Sequence, residues 1–153
     1  MTIKDRVTRG MIAGFVAGVV TKVYDLLAFY FGISTLRWLD FAGIMMYGEL
    51  PVFLSYQIFA TLGTLFFHAL LGIVFVILIQ RLLTSNNMLL KGWFFGVSLW
   101  FIILAVFHLF KVPELNFVPL KTTVSSFVGA SIWGLTMAKI VHWLDNKIKT
   151  VSP

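Results

Sequence analysis

Residues 10–31, GMIAGFVAGVVTKVYDLLAFYF, decide the fold class. Apart from Lys22 and Asp25 the stretch is apolar, and it supplies the ~20 residues a helix needs to cross a ~30 Å hydrocarbon core. Gly10, Gly14 and Gly18 recur at every fourth position, flanked by Ala13, Ala17 and Thr21, which predicts a helix with one face of small residues. Lipid tails are as apolar as leucine, so helices in a bilayer associate through close packing, and small residues permit it. Lys22 and Asp25 stand one turn apart inside this span. Ionisable groups at such depth face a protein interior or a watery cavity, and they mark either a functional site or an internal lock.

Further apolar blocks follow. Spans are expected at about 10–31, 51–79, 92–110 and 122–144, with Pro51 suited to the first turn of the second span. The second is overlong and should tilt or emerge among the headgroups. Hydrophobic residues make up 59% of the chain and charged ones 12%, and the mean hydropathy is +0.95. The expected fold is all-α: a single integral membrane domain over residues 1–153, built as a four-helix bundle. Between the first two spans, Ile33 to Leu50 carries Arg37, Trp38, Asp40, Tyr47 and Glu49, which suits an interfacial or re-entrant helix with Trp38 and Tyr47 at headgroup level. Arg81 to Lys91, with Ser85-Asn86-Asn87, reads as a tight hairpin turn, and Pro113 and Pro119 frame the last connection.

Lys4, Arg6, Arg9, Arg81, Lys91, Lys139, Lys147 and Lys149 fall on one side of the spans, and Arg37, Lys111 and Lys121 on the other. The positive-inside rule then places both termini in the cytoplasm. The basic N-terminus precedes an apolar stretch about twice as long as a signal-peptide core, so it reads as an uncleaved first helix. A net charge of +6 is explained by these cytoplasmic helix ends and anionic lipid, and calls for no nucleic acid.

Chemistry is sparse. The chain has no cysteine, which excludes disulfides, thiolate metal sites and Fe–S clusters. It has no HExxH, GxSxG or phosphate loop, so no enzyme activity, catalytic residue, metal or cofactor is expected. Asp40 and Glu49 read as solvated loop charge.

The polar residues within the spans are more telling. At ~1.5 Å of rise per residue, Lys22 and His68 lie roughly 18 Å from the cytoplasmic ends, Asp25 roughly 22 Å and His108 about 24 Å. Lys22, Asp25, His68 and His108 thus form an expected intramembrane polar layer. A haem between His68 and His108 is disfavoured by their different depths. Small residues recur in the last span at Ser126, Ala130, Gly134 and Ala138, and the second span shows Gln57, Thr61, Thr64, His68 and Gly72 on one face. These stripes and the Gly10–Gly14–Gly18 stripe should face one another in the core, while Trp93, Phe94, Phe95 and most phenylalanines face lipid. Arg9-Gly10-x-x-x-Gly14 and Lys91-Gly92-x-x-x-Gly96 open the first and third spans alike; a basic anchor followed by a small-residue packing motif is common in any membrane helix and explains this, with two duplicated hairpins as the alternative.

The Gly-x-x-x-Gly opening of the first span, its aromatic exit Ala28-Phe29-Tyr30-Phe31, the Gly92–Trp100 opening of the third and Trp133-Gly134 in a Thr-led last helix resemble the YqhR-like group of small, uncharacterised bacterial membrane proteins. That resemblance implies four spans in a bacterial cytoplasmic membrane, and it implies no activity. Lys22, Asp25 and His68 match no pattern of that group. Two functions compete on this reading. One is a non-enzymatic membrane protein that acts through helix-face contacts with lipid, a second copy or another membrane protein. The other is an oligomeric proton- or cation-coupled transporter that uses Lys22, Asp25 and His68.

Overall fold

A computed structural model of the protein describes residues 5–81 and 87–149. Among these it contains five α-helices, one 3-10 turn and no strand: α1 (Arg6–Tyr30), α2 (Trp38–Tyr47), α3 (Leu54–Arg81), α4 (Met88–Leu109), a 3-10 turn at Pro113–Leu115, and α5 (Leu120–Lys149). Of these, α1, α3, α4 and α5 are long and apolar enough to cross a membrane. Of the turn expected at Ser85-Asn86-Asn87, only Asn87 lies within the described residues. It caps α4 in the left-handed region at φ 56°.

Local chemistry fixes the helix ends. The Asp5 carboxylate accepts from the amides of Val7 and Thr8, taking up donors that the first turn leaves free. The Thr8 hydroxyl donates to it as well and is the main cause that holds this carboxyl below its ordinary value. α1 ends as the Gly32 amide reaches Phe29 O at 3.1 Å and the Ile33 amide reaches Ala28 O at 2.9 Å, with Gly32 left-handed at φ 69°. α4 ends the same way: Lys111 donates to His108 O at 3.2 Å and Val112 to Phe107 O at 3.1 Å. Here a lysine occupies the left-handed position, at φ 49°. Its Cβ crowds the following carbonyl there, so Lys111→Gly should raise stability by about 1 kcal/mol in detergent unfolding titrations. No gain would mean that the Lys111 side chain holds this corner.

The long helices associate as two hairpins with matching seams. In the first, α1 lies on α3: a Cβ built on Gly10 would stand 2.6 Å from Gly72 O, and one on Gly14 would stand 3.0 Å from Gly72 Cα. In the second, α4 lies on α5: a Cβ on Gly92 would stand 2.6 Å from Gly134 O, and one on Gly96 3.2 Å from Gly134 Cα. Gly10 and Gly14 therefore relate to Gly72 as Gly92 and Gly96 relate to Gly134. The two basic-Gly-x-x-x-Gly openings thus make equivalent contacts.

This pairing bears out the expected meeting of the Gly10–Gly14–Gly18 stripe with the His68–Gly72 face of the second span, and corrects the expectation that the stripe of the last span joins them. Gly10, Gly14 and Gly18 face α3, whereas Ala130, Gly134 and Ala138 face α4. Ser126 belongs to the second seam too, because it accepts from Trp100 Nε1 at 2.9 Å, and Ser131 accepts from Trp93 Nε1 at 3.0 Å. Trp93 and Phe95 accordingly do not point to lipid. Phe95 packs on Phe75 and Trp133, while Phe94 does face outward.

The hairpins join through α1 and α5. Ala13 and Ala17 form one buried cluster with Trp133, Met137 and Val141, and Trp133 Nε1 donates to Gly14 O at 3.3 Å. One end of this joint is closed by Arg9 and Arg6 on Asp145. The other end is closed by Thr35 and Thr122, whose hydroxyls meet at 2.7 Å. α3 and α4 flank the joint and meet through bulky rings, Phe75 on Phe95 at 5.3 Å, rather than through small residues.

α2 sits at the end of the bundle away from both termini. Phe41 and Ile44 pack with Phe107 of α4 and Leu115 of the 3-10 turn, and left-handed Gly48 at φ 78° stops the helix. Pro51 lies against Gly43 of α2 rather than in the first turn of the second span, which starts at Leu54.

Candidate functional site

The deep polar residues of α1 meet α3 and the start of α2. Gly18 makes the approach possible: a Cβ there would stand 3.0–3.1 Å from His68 Cβ, Cγ and Nδ1. One turn on, Thr21 is buried with its hydroxyl donating to Ala17 O at 2.9 Å. Asp25 then reaches across to α2, where Oδ2 accepts from the Trp38 backbone N–H at 3.0 Å. Trp38 is the first residue of α2, so Asp25 neutralises a free first-turn donor and the positive end of that helix. The same Oδ2 lies 3.9 Å from Lys22 Nζ. That is an ion pair, but too long for a hydrogen bond.

Two polar atoms are thereby left over. Lys22 Nζ and His68 Nδ1 are buried and make no hydrogen bond. The Thr64 carbonyl, one turn before His68, lies beside the ring but outside hydrogen-bond geometry with Nδ1. Lys22 and His68 line a cavity together with Thr21, Asp25, Trp38 and Thr64, whose volume of about 10 Å³ suits about one water. Next to it lies a pocket of about 60 Å³, which shares Thr21, Trp38, Thr64 and His68 and is walled by Trp100 and Trp133. That pocket in turn adjoins an apolar groove of about 410 Å³ between α2, α3 and α4, with Trp38, Thr64, Phe67 and Ile103 common to both. The groove opens sideways, past Met45 and Ile102, which are 57% and 53% exposed.

A second ionic group braces this region. Arg37 donates to Asp40 through its backbone N at 2.7 Å, Nε at 3.0 Å and Nη2 at 2.8 Å, and its guanidinium stands 4.7 Å over the Phe29 ring. Asp40 is buried, not solvated loop charge, because it caps α2 from the third position of the helix. Glu49 remains exposed. Arg37 is not one of the usual N-cap residues, so the sequence carried only an i,i+3 pair of opposite charges as a signal for this brace. The Trp38 amide had no such signal, since a backbone donor carries no mark in the sequence.

Lys22, Asp25 and His68 are thus brought together. His108 is not: it lies exposed in the last turn of α4, and its neighbour Phe107 takes the buried position. His68 instead packs its ring on Trp133 at 5.4 Å, so the two imidazoles do not address a common site. Among the described residues no three His, Cys, Asp or Glu side chains gather as a metal site would require.

A family pattern matches residues 4–151, nearly the whole chain. The chain belongs to DUF6789, a family of unknown function. No curated protein and no solved structure matches it. The four apolar helices are those the helix patterns led one to expect, and an uncharacterised family fits the resemblance in outline, but nothing links the chain to the YqhR-like group specifically. The family carries no activity to this chain, so function rests on the site itself.

Proposed function

We propose that the chain is a non-enzymatic protein of a bacterial cytoplasmic membrane, with both termini in the cytoplasm, that acts through lipid contacts at its helix faces. The groove between α2, α3 and α4 carries this reading. It is apolar, opens toward the bilayer, and lies where an interfacial α2 overhangs two spans whose backbones stay apart. A groove of this kind in hydrocarbon is filled by chains from the membrane, since packing there depends on contact rather than on water exclusion.

Spin-labelled phospholipid in vesicles holding the full chain should show a motionally restricted population. Ala42→Phe, whose ring fills the groove, should reduce that population at unchanged helicity. Equal populations in the two forms would overturn the lipid-contact reading.

The assembly of Lys22, Asp25 and His68 around one cavity is the observation that speaks for an oligomeric proton- or cation-coupled transporter. Its volume admits one water rather than a hydrated cation, and the Lys22 ammonium repels one. Proton or cation flux in vesicles that disappears in both Asp25→Asn and His68→Ala, with folding intact, would decide for transport.

A further inference from the structure

We propose that the cleft between α3 and α4, at the end of the bundle that holds both termini, takes one anionic phospholipid. Its acyl chain lies along Phe75, Leu78 and Phe94, and its phosphate meets Lys91. This inference rests on the lipid-contact reading and deepens it by adding a second site and the class of lipid that fills it.

Three observations converge. The first is a cleft that the two helices do not close. The Phe75 and Phe95 rings stand 5.3 Å apart between them, whereas both glycine seams bring backbone against backbone. Beside the ring pair lies a groove of about 580 Å³, open past Leu90 and Phe94, which are 62% and 67% exposed. In hydrocarbon such a groove is filled by chains from the bilayer.

The second is the polarity of this groove along the bundle. Lys91 lines it from the first turn of α4, within ~5 Å of the start of that helix, and the lining runs on to Ser98, ~10 Å deeper. A charged end and an apolar body laid along a helix match a phospholipid standing in its leaflet. The groove at α2 and one of about 420 Å³ between α1 and α3 have no charged wall. They suit hydrocarbon without selecting a headgroup.

The third is the sign of the charge. At this end Arg6, Arg9, Lys91, Lys139 and Lys147 outnumber Asp5 and Asp145, and Asp145 is engaged by Arg6 and Arg9. The resulting field favours a headgroup with net negative charge over a zwitterion, whose own cation it repels. Lysine has three donors, so Lys91 can hold a neighbour and a phosphate oxygen together.

Native mass spectrometry counts the lipids on the full chain released from micelles that hold phosphatidylglycerol or phosphatidylcholine with the same acyl chains. Phosphatidylglycerol should fill the first site about fivefold more tightly, the effect of one lysine near a membrane surface. Lys91→Gln should bring it to the affinity of phosphatidylcholine and leave phosphatidylcholine unchanged. Ser98→Phe, whose ring fills the groove, should weaken both. Lys139→Gln is the control: it removes an exposed charge at the same end but outside the groove, and the preference should persist. Equal affinities for the two lipids in the unaltered chain would overturn this site, and so would a preference that falls equally in Lys91→Gln and Lys139→Gln. A dimer that excludes lipid and dissociates in Ser98→Phe would give the groove to a second copy and overturn it too. None of these results bears on the groove at α2, whose own test is Ala42→Phe, so the two readings fail separately. The comparison of two lipids on the unaltered chain needs no variant to fold.

Discussion

Gly72→Ala should destabilise the protein by about 1–3 kcal/mol and Gly72→Leu by more, because neither seam helix can yield without moving its backbone. A Cβ on Gly72 would run into the Gly10 carbonyl oxygen and stand 2.8 Å from Gly14 Cα and 2.9 Å from Gly14 N. The obstructing atoms are mostly backbone, so a rotamer change does not relieve the clash. Gly134→Ala should cost about as much, because it occupies the same place in the α4–α5 seam. Gly63 is the control. A Cβ there would meet only the flexible end of Met46, Sδ at 3.4 Å and Cε at 3.8 Å, so Gly63→Ala should be neutral or stabilising by about 0.5–1 kcal/mol through helix propensity alone. Unfolding in mixed micelles, followed by circular dichroism, measures all four. If Gly72→Ala and Gly63→Ala behave alike, the close seam is wrong.

Asp25→Ala should be the most damaging single change in the polar cluster, at about 3 kcal/mol or more. It strands the Lys22 charge in an apolar interior and removes the acceptor of the Trp38 amide at the start of α2. Removing both charges should hurt less. Lys22→Leu with Asp25→Leu leaves only the α2 donor unmet, so the double variant should recover a large share of the loss. Interacting neighbours are non-additive, and the cycle isolates their coupling. Costs that simply add would mean that Lys22 and Asp25 do not hold each other, whatever their separation. Amide exchange should resolve the second part: loss of Asp25 should loosen α2 before the long helices.

How legible this was from the sequence varies by residue. The spans were readable because length and apolarity are sums along a chain, and a bilayer demands little else of a crossing helix. The seam glycines were readable as packing residues but not as partners. Small-residue stripes on the first and last spans look alike, and each could have met the other, yet they pair with α3 and α4 instead. His108 shows the limit of depth arithmetic. Rise per residue located its level, but the rotation that separates it from Phe107 is ~100°, and only the neighbours of α4 decide which of the two turns inward. Asp40 misled for a related reason: a carboxylate in a mixed segment looks solvated until Arg37 is seen folded over it.

By itself, then, the sequence determined an all-helical chain with four membrane-length segments, the small-residue faces on which they pack, and the level of Lys22, Asp25 and His68 within them. These follow from local composition and helical geometry. Tertiary structure alone decided that the segments pair as two matching hairpins, that α2 closes over Asp25 through the Trp38 amide, and that Trp38 and Thr64 border both the polar cavity and an apolar groove at the side of the bundle. Those features depend on contacts between residues far apart in the chain, such as Gly14 with Gly72 and Phe41 with Phe107, and no periodicity within one helix specifies its neighbour.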